Sequence, residues 1–532
     1  MTTRHALLHL LATALLAACA PAAAQVEQPP PPGEAQTEPD ASTTAVALDV
    51  SWSPCTLDTS RGESADCATV KVPYRWDAPD DSTTVDVFVK RYRPKGAEPR
   101  GSVWLLQGGP GASGKAMDAV GPYMTSLGAP MVFYTIDQRG TGRSSRLGCP
   151  EQEAADSTGG RAITSEEWPA CIASMKARWS PGLEGFSVTN TARDLGELIS
   201  TLRAPNERVF VYGVSYGTYL ANRYMQLYPD QASGVILDSI AGVNDTFTHS
   251  DLAFDAVVHR YFDECGKDAA CSKRLGVDPW KTFGDVLGRL DAGSCSAATQ
   301  AGLTRPIVRH LFASLAYSWD ARILMPALVH RLDRCGDQDA PVFTRLGELL
   351  SQPLGEEGLQ AFSMPLANHI GLSELWDEPS PAVSALAAEE SETLVSNGVG
   401  ASMGALHDAW PRLPHDRFHG AWAKTATPIL MLAGDLDPAT PLDEQEPARA
   451  AFAGAHQTFV TVPRASHAIV ANSPVTTAGA PGCGADLLAQ FLREPASTLD
   501  ASCVDRIAPL SFESAGATTT MVYLGTTDLW GD

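Results

Sequence analysis

The chain is short of basic residues. It has 39 Lys and Arg against 62 Asp and Glu, a net charge of −23 over 532 residues. A surface so poor in positive charge argues against nucleic acid as the main partner, because binding phosphate needs a positive field. Beyond the first residues the chain also lacks any apolar run long enough to cross a bilayer. It has no CxxC pair and no cysteine/histidine group at zinc spacing, so a zinc site finds no donors and no metal or cofactor is expected. No repeat at solenoid spacing is present. What the chain does have is apolar content, 44% of its residues, which suffices for buried cores and rules out wholesale disorder. Its length implies roughly two to four structural units.

The first residues read as a processing signal. Arg4 and His5 precede an apolar run over residues 6–18, the length of a signal-peptide core. That run ends in Leu16-Ala17-Ala18-Cys19, which is similar to a bacterial lipoprotein processing site. The similarity implies removal of residues 1–18 and a lipid on the Cys19 thiol; the plainer alternative is an ordinary signal peptide. Residues 19–45 are rich in Pro, Ala, Gln, Glu and Thr and read as a disordered tether. The expected location is the bacterial cell envelope, with membrane contact only through that lipid, or else secretion.

Eleven cysteines are present. With Cys19 set aside, the other ten are Cys55, Cys67, Cys149, Cys171, Cys265, Cys271, Cys295, Cys335, Cys483 and Cys503. An even count behind an export signal favours disulfides. Pairing of sequence neighbours (55–67, 149–171, 265–271, 295–335, 483–503) is the expectation, although spacing alone does not fix connectivity.

From Val70 onward, apolar runs alternate with helical patterns. VDVFVKRY, SVWLLQ, MVFYTID, RVFVYG and GVILDSI read as strands. Residues 191–202 and 218–227 read as helices, the first capped by Asn190. Such alternation signals an α/β fold with a mostly parallel central sheet covered on both faces. Residues 245–410 read as mainly helical; strands return at PILMLAG and QTFVTVP, and residues 485–492 form the last clear helix. The organisation is therefore a core in two parts, 46–244 and 411–510, interrupted by a helical cap over 245–410 and followed by an extension over 511–532.

Gly213-Val214-Ser215-Tyr216-Gly217 follows the strand RVFVYG and opens a helix. This is the strand-turn-helix context of a nucleophile elbow, in which a sharp turn lifts the serine above the sheet edge. The alternative is a glycine-rich turn with a capping serine. Gln107-Gly108-Gly109-Pro110-Gly111 follows the strand SVWLLQ and exposes backbone N–H groups, as an oxyanion hole requires. The expected donors are the amides of Gly109 and Tyr216. A phosphate loop is the competing use, but no Gly-Lys-Ser/Thr ending is present. Asp137-Gln138-Arg139-Gly140-Thr141-Gly142-Arg143-Ser144 is read as bracing these loops rather than reacting.

A serine hydroxyl needs a base, and the base needs an orienting acid. Three acids lie at strand ends after Ser215: Asp238, Asp435 and Asp437. The position furthest out on the loop favours Asp437. Of the twelve histidines, His467 follows the strand QTFVTVP, whereas His456 precedes it. Sites in parallel sheets form at the carboxyl ends of strands, which selects His467.

Taken together, these residues give the chain a resemblance to the exported α/β-hydrolases of the tripeptidyl aminopeptidase and proline iminopeptidase group. The shared pieces are Trp52 with Cys55, GGPG, DQRGTGRS, GVSYGTYLA, LDPATP and the late histidine followed by Cys483-Gly484. The resemblance implies an α/β-hydrolase fold and a serine exopeptidase acting near free N-termini of short peptides. It also implies a cap glutamate that binds the substrate ammonium, and Glu374 is the candidate. Gln107 departs from the histidine common before GGPG in the iminopeptidases. An esterase or amidase with the same triad, or a non-catalytic surface-binding lipoprotein, are the alternatives. Oligomeric state is left open.

Overall fold

The computed structural model describes residues 48–78, 82–180 and 182–532. The signal segment, Cys19 and the tether lie outside these residues.

Nine strands form one sheet: β1 (Ser53–Thr56), β2 (Ser64–Pro73), β3 (Thr84–Tyr92), β4 (Ser102–Leu106), β5 (Val132–Asp137), β6 (Val209–Ser215), β7 (Gly234–Ile240), β8 (Ile429–Gly434) and β9 (Gln457–Val462). Their order is β1-β2-β3-β5-β4-β6-β7-β8-β9. The neighbours from β5 through β9 are parallel, while β1, β2 and β3 run antiparallel at one edge. The sequence reading did not separate β1 and β2. β2 is a half-buried strand, with exposed residues between its buried ones, and its apolar signal is correspondingly weak.

β4 and β8 are buried at every position, which is why they read as unbroken apolar runs. Alternate residues feed opposite faces. Trp104 and Leu106 join one buried cluster, and Val103 and Leu105 the other. The chain passes from β4 to β5 on one side and later to β6 on the other. The carboxyl ends of β4 and β6 therefore flank the crevice where strand order reverses, the usual site position in such sheets.

The helix Val188–Leu202 starts earlier than the sequence pattern indicates. Ser187 is its cap and accepts from the Asn190 amide at 3.2 Å. Asn190 lies inside the helix, where its Oδ1 accepts from the Trp76 amide and its Nδ2 donates to Glu184 O.

Between β7 and β8 the chain is helical, from Ser250–Lys267 to Val399–Gly404. This cap has its own core, in which the rings of Phe283 and Phe312 stack at 4.6 Å. Burying each such ring contributes about 1.5–3 kcal/mol. The chain's end belongs to the same core. A further helix, Ala517–Leu524, follows the one expected to be last, and Leu524, Leu529 and Trp530 are buried among cap residues. Arg331 donates to Leu529 O at 3.1 Å, and Arg274 to Asp532 Oδ2 at 2.7 Å.

The ten cysteines form Cys55–Cys67, Cys149–Cys171, Cys265–Cys271, Cys295–Cys335 and Cys483–Cys503, the pairs expected of sequence neighbours. Among the described residues no helix is long and apolar enough to cross a membrane.

Candidate active site

Ser215 ends β6 and opens the helix Tyr216–Leu227. Its backbone sits at φ 58°, ψ −132°, a conformation that non-glycine residues rarely adopt. Such strain costs roughly 1–3 kcal/mol and persists only where the surroundings impose it. The tight join of strand and helix imposes it here. A Cβ on Gly217 would lie 2.2 Å from Leu106 O, so only glycine lets the helix start that close to β4. Six non-glycine residues have positive φ among the described residues, and four of them (Ser215, Ser239, Arg464, Ala468) lie at the carboxyl ends of β6, β7 and β9. Strain is thus concentrated at the strand ends and loops that carry the candidate residues.

The loop after β4 lies directly against the serine. A Cβ on Gly108 would be 2.6 Å from Ser215 Cβ and 3.1 Å from its Oγ. Gly109, the next residue of this loop, has φ 113°. The cap holds this loop from the far side, with Ser363 N–H donating to Gly111 O at 2.9 Å and Ser113 N–H to Ala361 O at 2.8 Å.

His467 and Asp437 are in contact. His467 Nδ1 lies 2.9 Å from Asp437 Oδ1 and 3.0 Å from Oδ2. Asp437 is fully buried and also accepts from the amides of Ala439 and Thr440 and from Thr440 Oγ1. Burial pushes the Asp437 carboxyl up, but the His467 charge and these donors outweigh it and leave it below the ordinary value. Burial likewise pushes the His467 imidazole down, and the Asp437 charge and hydrogen bond reverse this and raise it.

The other two acids have different work. Asp238 accepts from Tyr212 Oη at 2.6 Å, from Ile469 N at 2.6 Å and from Val470 N at 3.1 Å. Burial raises its carboxyl to about 6. Next to it, Ser239 Oγ accepts from the Ala468 amide at 2.7 Å. Ile240 pairs with Ser215, so the histidine loop is fastened one residue from the strand position opposite the serine. Asp435 accepts from the Arg464 amide and ties the two loops together.

The DQRGTGRS loop is a brace. Asp137 accepts from Ser113 Oγ, Gly114 N and Arg143 N. Arg139 is buried and pairs with Asp194 while donating to the carbonyls of Tyr74 and Gly185.

Glu374, the candidate for binding the substrate ammonium, is held by Tyr219 and Arg223. Its carboxylate accepts from Tyr219 Oη at 2.8 Å and pairs with Arg223 Nη2 at 2.9 Å. Arg223 lies on the Ser215 helix, about 10 Å along its axis from the first turn by helix rise. Arg223 also pairs with Asp416 at 3.2 Å, so one guanidinium serves two carboxylates. Asp245, Asp443 and Glu444 form an acidic group, in which burial and the like charge of Asp245, Asp443 and Asp437 raise Glu444 to about 8 and leave it largely protonated at neutral pH. Sequence reasoning missed them because they are scattered over two segments with no shared motif.

The comparisons with known proteins agree with this fold. Residues 102–273 match the family described as alpha/beta hydrolase fold, and residues 397–503 match TAP-like protein. The chain is 27% identical over 227 residues to a tripeptidyl aminopeptidase of Streptomyces lividans, covering 39% of this chain and 41% of that protein. It is 25% identical over 260 residues to serine protease Hip1 of Mycobacterium tuberculosis, covering 44% of this chain and 48% of the relative. The chain thus spans less than half the length of these curated relatives. Among solved structures, it aligns with a proline iminopeptidase of Mycobacterium smegmatis at 14% identity and a TM-score of 0.30, covering 80% of this chain and 98% of that one.

Proposed function

We propose that this chain, an α/β-hydrolase with a TAP-like C-terminal segment, is a serine exopeptidase that cleaves short peptides near free N-termini. The observation that carries the reading is the buried Asp437–His467 pair, fastened at the end of β7 beside a strained Ser215. In this reading, Asp437 keeps a proton on His467 Nδ1, which leaves Nε2 as the acceptor. His467 takes the Ser215 proton as Oγ attacks the scissile carbonyl. The amides of Gly109 and Tyr216 receive the oxyanion. His467 then protonates the departing amine, and a water that it activates releases the acyl product. The peptidase part of the reading is supported by the similarity to relatives named tripeptidyl aminopeptidase and serine protease Hip1. The five disulfides suit an exported protein. A lipid on Cys19 completes the proposal as an envelope-tethered enzyme.

The test compares a tripeptidyl anilide with its N-acetylated twin. The free amine should be preferred by about 10- to 100-fold in kcat/KM, the worth of a charge-assisted contact. Equal rates would remove amine recognition and leave an esterase or amidase with the same triad.

The pH profile is set by the His467 environment. The base works only when neutral, and its imidazole is held above the ordinary histidine value. Activity is therefore present above that raised value and lost as pH falls through it. Plotting kcat/KM against pH should give an acid limb with its midpoint above about 6.5. A midpoint below that value would mean that Asp437 does not carry the charge ascribed to it.

A further inference from the structure

The cap reaches the histidine loop through the turn 317–322, between the helices Arg305–Ala316 and Leu324–Arg334. Tyr317 sets its ring edge-on to the His467 imidazole, with centroids 5.2 Å apart and planes at 90°. Its carbonyl accepts from Ser466 Oγ at 3.0 Å. Two residues on, the Trp319 amide donates to Asn472 Oδ1 at 2.9 Å. Asn472 in turn donates from Nδ2 to the His467 carbonyl at 2.5 Å. The cap therefore touches the ring of His467, the residue before it and, through Asn472, its backbone.

The turn itself is stiffly held. Arg322 is buried, with its guanidinium 4.2 Å from the Trp319 ring centroid and 5.2 Å from that of Tyr261. Both terminal nitrogens lack a hydrogen-bond partner among the described residues, so the aromatic faces together with the charges of Asp435 and Asp320 hold the cation. Tyr261 belongs to the buried core of the cap. The end of β7 fastens the segment on the far side of the histidine, at Ala468, Ile469 and Val470. Asp437 fixes one nitrogen of the ring, which still leaves the imidazole free to tilt about that contact. The Tyr317 ring, perpendicular to the imidazole, closes off the tilt.

We propose that the turn 317–322 is a positioning element of catalysis, in which Tyr317 and Asn472 hold His467 in line between Asp437 and Ser215. The docked cap, and not the sheet alone, sets the base. The proposal rests on His467 being the base of the serine exopeptidase proposed for this chain. Tyr317 and Asn472 act through His467 and are positioning residues. Their loss lowers the fraction of molecules with a correctly aimed base, so it falls on kcat and on the reactivity of Ser215 rather than on substrate affinity.

The experiment uses the whole protein with Tyr317→Ala, Tyr317→Phe, Tyr317→Leu and Asn472→Ala. It measures kcat and KM on an anilide that the wild type cleaves, the rate of fluorophosphonate labelling, and the melting midpoint. Tyr317→Ala and Asn472→Ala should lower kcat and the labelling rate by about 10- to 100-fold, with KM within about twofold. Tyr317→Phe should recover most of that loss, because it keeps the ring that packs against the imidazole. Tyr317→Leu fills the space without a planar edge and should resemble the alanine variant, which keeps the proposal testable if alanine does not fold. Wild-type kcat and labelling in folded Tyr317→Leu and Asn472→Ala would overturn the proposal while leaving the triad reading intact. A loss confined to KM would also overturn it, making the turn a substrate wall. A wild type that takes no label overturns the serine-hydrolase reading and the proposal with it.

Discussion

Ser215→Ala abolishes turnover: kcat falls by about 10⁴- to 10⁶-fold, and labelling by a fluorophosphonate is lost. The side chain loses only its oxygen. Alanine keeps the Cβ that packs against Gly108, and it meets the same φ of 58° that serine already tolerates. The fold should therefore be unchanged and the loss assignable to the nucleophile. Residual labelling in the purified variant would show that another residue carries the chemistry. The elbow adds a second expectation at the same position. Ser215→Gly removes the side chain from a strained backbone, so it should raise the melting midpoint while remaining inactive. The gain is about 1 kcal/mol, the relieved strain less the greater freedom of an unfolded glycine.

Asp437→Asn is expected to lower kcat by about 10⁴-fold with little change in stability. The amide oxygen can still accept from the Ala439 and Thr440 amides, as Oδ1 does now. The NH₂ group then faces His467 Nδ1 and forces the proton onto Nε2, where it blocks uptake of the serine proton. The neighbouring acids should behave otherwise. Asp238→Asn replaces a carboxylate that serves three donors with a group that has one acceptor oxygen. It should cost about 1–3 kcal/mol of stability, read as a lower melting midpoint. Asp435→Asn keeps an acceptor for the Arg464 amide and should lower kcat far less than Asp437→Asn. Assays of the three variants side by side decide among the strand-end acids. A four-decade loss in Asp435→Asn instead would move the orienting role to that residue.

The parts that chain order exposes were readable from residues alone. Fully buried strands such as β4 and β8 show as apolar runs, and the loops at their carboxyl ends carry the glycines and the acid, while the histidine follows the half-buried β9. The elbow around Ser215 is legible because strand, turn and helix are contiguous. What escaped the sequence depends on segments meeting in space. β1 is largely exposed and β2 only half-buried, so their apolar signal is weak. Glu374 looked free because nothing in its own helix reveals Arg223, which comes from another element 151 residues away. Asn472 and Tyr317 carry no local mark, since their importance exists only once the cap has docked. Asp238 was visible as a strand-end acid, but its three donors come from other segments, and so its role was not.

The cap core takes its last residues from the chain's end, where Leu524, Leu529 and Trp530 pack among helices inserted some two hundred residues earlier. In evolutionary and engineering terms, the cap is not a cassette. Exchanging residues 245–410 between two such hydrolases would transplant a unit stripped of part of its interior. Recombination that conserves the fold has to move two separate blocks together, and a crossover that separates them leaves Arg331 and Arg274 facing a tail they were not built to hold.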